Sequence, residues 1–146
     1  MAFEVKKVEQ TGGGWIKPEE YADAEALLIE LKSFERQRPT DYGPKDSAVV
    51  DLTVFATQAD IDAGVPTEIR KDTRLEGKKV LTGAFAGKEE GYAIVQKIGR
   101  GKKAPGKEAP WLYFDVTDAA LNGVIKYGEA REAAIEAALA DVPDFD

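Results

Sequence analysis

Two stretches of the chain alternate with a period of two. From Ala26 to Phe34, Leu27, Ile29, Leu31 and Ser33 share one side and Leu28, Glu30, Lys32 and Phe34 the other. From Ser47 to Thr57, Val50, Leu52, Val54 and Ala56 lie opposite Val49, Asp51, Thr53 and Phe55. Successive side chains of an extended chain point to opposite faces, so each stretch reads as a β-strand with one face for a core. Between them, Arg36 to Asp46 holds Pro39, Asp41, Gly43 and Pro44, turn formers that predict a long loop joining an antiparallel pair.

The rest of the chain is read around that pair. The opening to Lys17, with Gly12-Gly13-Gly14 before Trp15, is a mobile arm or an early strand ending in a flexible link. Pro18-Glu19-Glu20 suits a short helical turn, Pro first and acids toward the positive end of the dipole. Gln58 to Pro66 reads as a polar excursion, Thr67 to Leu75 as a charged edge strand, and Gly77 to Gly87 as a short helix or a further strand, the helix preferred despite Gly83. Gly91 to Gly99 alternates again, and Pro110 to Val116 supplies the last strand. Thr117 is a candidate N-cap for a helix-like stretch from Asp118 to Leu139, expected to break at Gly123 and Gly128 into a short helix and an Ala-rich one.

Five strands, with a helix-sized link between the third and fourth, match the order of an OB-fold, whose first-to-second and fourth-to-fifth loops flank a nucleic-acid face. The expected fold is therefore mostly β: a five-stranded OB-fold barrel with a C-terminal helix and an acidic tail. Its expected division is a flexible arm at 1–17, the barrel at 18–118, a helical segment at 119–140 and the tail at 141–146.

Composition narrows the chemistry. The 146 residues are 43% hydrophobic and 32% charged, with no Cys and no His. Thiolate and imidazole catalysis, disulfides and nitrogen or sulfur zinc ligands are thereby excluded. An enzyme would have to rely on carboxylates with Mg²⁺, on Lys or on hydroxyls, so a binding protein is favoured, with no catalytic residue, metal ligand or cofactor assigned. No apolar run nears the ~18 residues of a membrane helix, and no secretory h-region opens the chain, so no membrane contact and a cytoplasmic address are expected.

A formal net charge of -7 argues against a polyanionic partner until its distribution is considered. Lys97, Arg100, Lys102, Lys103 and Lys107 face only Glu108 across one segment, a local balance of +4. Gly128 to Asp146 carries the opposite, -5. A Lys/Gly/Pro loop of this kind also suits a plain soluble hairpin tip. Single-strand recognition needs cations along the phosphates and aromatic faces for unpaired bases. Arg36, Arg38, Tyr42 and Lys45 stand in the first long loop, and Phe34 and Phe55 on the strand faces opposite the Leu-rich side. Arg100, Lys102, Lys103 and Lys107 precede Trp111 and Tyr113 on the fifth strand. Trp111, beside Pro110, fits equally as a lid on the core, and Phe34 and Phe55 fit beneath the terminal helix or a partner chain. Tyr42, next to Gly43-Pro44, is the aromatic least suited to burial.

Taken together, the stretch Thr40-Asp41-Tyr42-Gly43-Pro44-Lys45-Asp46-Ser47-Ala48-Val49-Val50-Asp51, the Gly91 to Gly101 segment and Lys102-Lys103-Ala104-Pro105-Gly106-Lys107-Glu108-Ala109-Pro110-Trp111-Leu112 resemble the single-stranded DNA-binding proteins of actinobacterial phages. The resemblance runs from about Ala26 to Asp118. It rests on loop spacing and the glycine-basic-Pro-Trp pattern, with Gln96-Lys97-Ile98 where that family usually reads Gly-Arg-Leu. It implies an OB-fold, binding of single-stranded DNA and a role in phage replication or recombination inside the host cytoplasm. Single-strand binders of bacteria and phages commonly end in an acidic segment that docks on replication partners. Asp141, Pro143, Asp144, Phe145 and Asp146 are similar in type, although Asp146 follows Phe145. Such a tail would also compete for the protein's own basic loops at low salt.

The expected mechanism is phosphate contact by Arg36, Arg38, Lys97, Arg100, Lys102, Lys103 and Lys107, with stacking by Tyr42, Phe55, Trp111 and Tyr113 and with Phe34 as a further candidate. One barrel covers a short strand, so a homo-oligomer, a dimer first of all, is expected through Val49 and Phe55 or the Ala-rich helix. Two rivals stand beside this reading: a phage structural or adaptor protein, and a Mg²⁺ nuclease using Glu30, Asp51 and Asp115.

Overall fold

A computed structural model describes residues 9–77 and 79–140, so Asp141, Pro143, Asp144, Phe145 and Asp146 and the acidic tail they form lie outside the described residues. Six strands and three α-helices follow in order: β1 (Glu9–Gly12), β2 (Ala26–Arg38), β3 (Lys45–Phe55), α1 (Gln58–Ala63), β4 (Glu68–Glu76), α2 (Lys79–Gly83), β5 (Ala93–Arg100), β6 (Trp111–Phe114) and α3 (Asp118–Ala140). A 3-10 turn at Pro18–Glu20 precedes β2. The strand order is β1-β4-β3-β2-β5-β6, with β1 parallel to β4 and every other pair antiparallel.

The five antiparallel strands curl into a half-barrel. β5 makes the curl visible: Ala93–Gln96 pair with β2, and Lys97–Arg100 pair with β6. Among the described residues β6 pairs only with β5. On the unpaired side α2 lies against β3, β4 and β6, and the Tyr113 hydroxyl donates to the Leu81 carbonyl at 2.8 Å. The outer edge of β4 is occupied by β1 and by a bridge from Trp15 to Arg74. The expected edge strand is therefore an interior one.

The alternation of β2 and β3 places Leu27, Ile29, Leu31, Ala48, Val50, Leu52 and Val54 in the main core with Leu75, Leu81, Phe85 and Ile98. The opposite face is not left to solvent at this end of the sheet. Ala26, Leu28 and Phe55 form a second cluster with Ile61 of α1 and with Ala120 and Val124 of α3. α1 was a polar excursion in the sequence. Thr57 caps it by accepting from the Asp60 N–H at 3.2 Å, and Gly64 ends it at φ 69°.

α3 runs unbroken for 23 residues, so the expected interruptions at Gly123 and Gly128 do not occur. Gly123 has a packing reason instead: a Cβ there would collide with Ile61 Cγ2, and glycine lets α1 and α3 meet. Thr117 accepts from the Ala120 N–H at 3.1 Å and caps the helix, as its position suggested. Arg131 holds the helix to the sheet by two bonds to the Glu30 carboxylate, at 2.9 and 2.8 Å.

Candidate functional site

The segment expected as one long loop is strand at both of its ends. Arg36 and Arg38 belong to β2, Lys45 opens β3, and only residues 39–44 turn. The pairing is irregular between Glu35 and Arg38, where Gln37 takes φ 49° and its N–H donates to Asp46 Oδ1 at 3.0 Å. The tip is organised by Thr40, whose hydroxyl donates to the Gly43 carbonyl and accepts from the Tyr42 N–H. Tyr42 is left 90% exposed.

Beside this tip lies a residue that the sequence reading assigned to the arm. Gly13 and Gly14 take φ 68° and 73°, left-handed backbone that turns the chain onto β4. Trp15 then stands 57% exposed with its indole N–H donating to Glu76 Oε2 at 2.8 Å. Arg38 donates to the other oxygen, Oε1, also at 2.8 Å. Burial pushes the Glu76 carboxyl up, but the bonds from Trp15 and Arg38, with the charges of Arg38 and Arg74, outweigh it and hold the group below its ordinary value. Trp15, Arg38, Tyr42, Lys45 and Glu76 line one open groove of about 750 Å³. An aromatic directly after a glycine run was the available signal for Trp15; what fixes its ring is a carboxylate 61 positions away.

The basic loop lies elsewhere. β5 runs antiparallel to β2, and Gln96 already faces Leu27 at the start of β2. The chain from Gly101 to Pro110 therefore emerges beyond that start, whereas residues 39–44 follow the other end. Lys102, Lys103 and Lys107 are exposed and have no ion-pair partner among the described residues. Arg100 donates to the Ala109 carbonyl at 2.6 Å and lays its guanidinium 4.1 Å from the Trp111 ring centroid. Lys97 is half-buried on β5, in register with Phe114 of β6.

Several expected stacking residues are enclosed. Phe55 is fully buried, its ring edge-on to Tyr127 of α3 at 5.3 Å, so it presents no face and cannot serve a dimer contact. Phe34 shifts sides: β2 advances two residues from Leu31 to Ser33 while β3 advances one, and this bulge turns Phe34, opposite Ala48, onto the main core. Trp111 and Tyr113 also pack on that core. Burial raises the Tyr113 hydroxyl far above the usual tyrosine range. Arg36, Tyr42 and Lys45 remain exposed, while Arg38 is neutralised by Glu76.

The sheet's outer face between the two ends is internally balanced. Asp51 is paired by Lys32 at 3.4 Å and Lys71 at 3.6 Å, and Glu30 by Arg131 at 2.8 Å. Among the described residues no three side chains of metal-ligating type come together, and Glu30 and Asp51 sit in separate ion networks. No described helix is long and apolar enough to cross a membrane. No family model, curated protein or solved structure matches the chain.

Proposed function

We propose that the chain is an OB-type module that binds single-stranded DNA with little sequence preference and protects it during replication or recombination of a phage genome. The observation carrying this reading is the strand order. The first long strand, β2, pairs with both the second and the fourth of the antiparallel set, and α2 links the third and fourth, as in an OB barrel. In such a barrel the exposed Tyr42 tip, and Lys102, Lys103 and Lys107 with no ion-pair partner among the described residues, would lie on the two loops that hold a strand. The phosphate contacts in this reading are Arg36, Lys45, Lys97, Lys102, Lys103 and Lys107. Arg38 and Arg100 shape the surface rather than meet phosphate.

Two copies would associate through α3, whose Ile135 and Leu139 are 53% and 67% exposed, and the tail at 141–146 would meet replication partners. The same exposed helix is what favours the second reading, a structural or adaptor protein. Fluorescence anisotropy of labelled oligo-dT, with duplex as control, separates the two. Salt-sensitive binding that prefers the single strand supports the first, and no binding at about micromolar protein moves the adaptor reading to first place.

A further inference from the structure

We infer that the groove between Trp15 and Tyr42 is a single-nucleotide subsite: it seats one unpaired base on the Trp15 indole and takes the adjoining phosphate on Lys45 and Lys79. The inference rests on the single-strand reading above and names a residue and a pocket which that reading did not contain.

Three observations lead to it. First, Trp15 is exposed and yet positioned. Its N–H is committed to Glu76, and Glu76 is held from the other side by Arg38, so the indole is fixed at its edge while much of the ring stays in water. A fixed aromatic face lowers the ordering cost of stacking a second planar group upon it. Secondly, the groove is electrostatically suited to a nucleotide. The carboxylate of Glu76 is already matched by Arg38, and Lys45 on the groove wall has no ion-pair partner among the described residues. The remaining acid, Asp41, lies on the exposed tip, so the phosphate side is the Lys45 side.

Thirdly, the groove does not end at Lys45. A smaller notch of about 290 Å³ adjoins it, lined by Gln37, Lys45, Asp46, Gly77, Lys79 and Thr82, and sharing Lys45 and Gly77 with the groove. The Lys45 stem runs along Gly77, where a Cβ would stand 3.3 Å from Lys45 Cδ, so a side chain at 77 would crowd the lysine that joins the two compartments. Thr82, only 1% exposed, contributes an Oγ1 with no hydrogen-bond partner, and Lys79 on the rim is exposed and unpaired among the described residues. Asp46 in the notch is tied back by the Gln37 N–H at 3.0 Å, and Lys45 and Lys79 outnumber it, so an aromatic slot on one side of a lysine and a notch with two lysines on the other have the layout of a base and its phosphate.

The test uses the full chain, an oligo-dT of about 15 nucleotides and an equally long abasic oligomer. The wild-type protein carries two tryptophans, Trp15 and Trp111. Oligo-dT should quench the emission of the wild type, the abasic oligomer should bind without quenching, and Trp15→Phe should lose the quench. Tyr42→Ala, at a residue too exposed to unfold the protein, should weaken oligo-dT binding about 10-fold or more while leaving abasic binding unchanged. Binding with a quench that survives in Trp15→Phe, equal quenching by the abasic oligomer, or full affinity in Tyr42→Ala would each overturn the subsite and leave the single-strand reading standing. Failure of every oligonucleotide to bind would overturn both.

Discussion

The two ends of the curled sheet carry the same pair of residue types and use them in opposite ways. Near residues 39–44 an arginine and a tryptophan, Arg38 and Trp15, both bond to one carboxylate, Glu76, and the indole remains exposed. Beside the basic loop an arginine and a tryptophan, Arg100 and Trp111, meet directly, with the guanidinium 4.1 Å from the ring centroid and no ion pair to Arg100 among the described residues. At the first end the carboxylate takes both the guanidinium and the indole N–H and much of the ring stays exposed, whereas at the second the guanidinium lies over the ring itself. An exposed, anchored indole thus stands at one end, and the exposed Lys102, Lys103 and Lys107 at the other.

The largest effect should come from removing those lysines. Replacing Lys102, Lys103 and Lys107 together by Ala should leave urea denaturation unchanged, because all three are exposed. The slope of log affinity for oligo-dT against log salt should shrink by about 2, at ~0.7 per lost single-strand phosphate contact. An unchanged slope would mean that the lysine end does not meet phosphate.

Glu76→Gln attacks the other end. Arg38 and the Trp15 N–H then share a neutral partner in a site where the acid side chain is only 11% exposed, and stability should fall by about 1–3 kcal/mol in urea denaturation. With its carboxylate partner gone, Arg38 should also move toward the Trp15 ring and change its emission. A variant as stable as the parent with unaltered emission would break the comparison.

The pH dependence has a fixed sign. The folded-state pKa of Glu76 is lowered, so its contribution is complete above the ordinary carboxylate range and is lost as pH falls through the lowered value. Trp15 emission should therefore change on acidification in the wild type and stay flat over that window in Glu76→Gln. Titrating both proteins below about pH 4.5 checks it.

The smallest effect belongs to Arg100→Ala. An exposed cation–π contact contributes about 0.5–1 kcal/mol, so stability should barely move. Trp111 should become more accessible to a soluble quencher, measured in a Trp15→Phe background where it is the remaining tryptophan. No gain in accessibility would mean that the core contacts of Trp111, rather than Arg100, hide the ring.

The strands of this protein were legible because alternation is a local property. Leu27, Ile29 and Leu31 against Glu30 and Lys32, and Val50, Leu52 and Val54 against Asp51 and Thr53, mark their faces without reference to the rest of the chain. The exposure of Tyr42 was legible for a similar reason, since Gly43-Pro44 beside it forces a turn. Which of the remaining aromatics face solvent was decided by partners far away in sequence. Phe55 lies on the polar side of its strand and is buried because α3 returns to put Tyr127 against it. Phe34 changes sides through one extra residue in β2, and a bulge of one residue reverses every side chain after it. Trp15 looked like part of a loose arm until Glu76 and the edge of β4 held it. Helix α3 passes through two glycines because packing on the sheet and on Ile61 outweighs a propensity cost of about 1 kcal/mol each. The sequence by itself determined the five antiparallel strands, the core faces of β3 and of β2 as far as Leu31, and the positive balance of the loop before β6. The assignment of each aromatic to core or surface awaited the tertiary structure, because it depends on what packs across the sheet and on where each arginine finds its carboxylate.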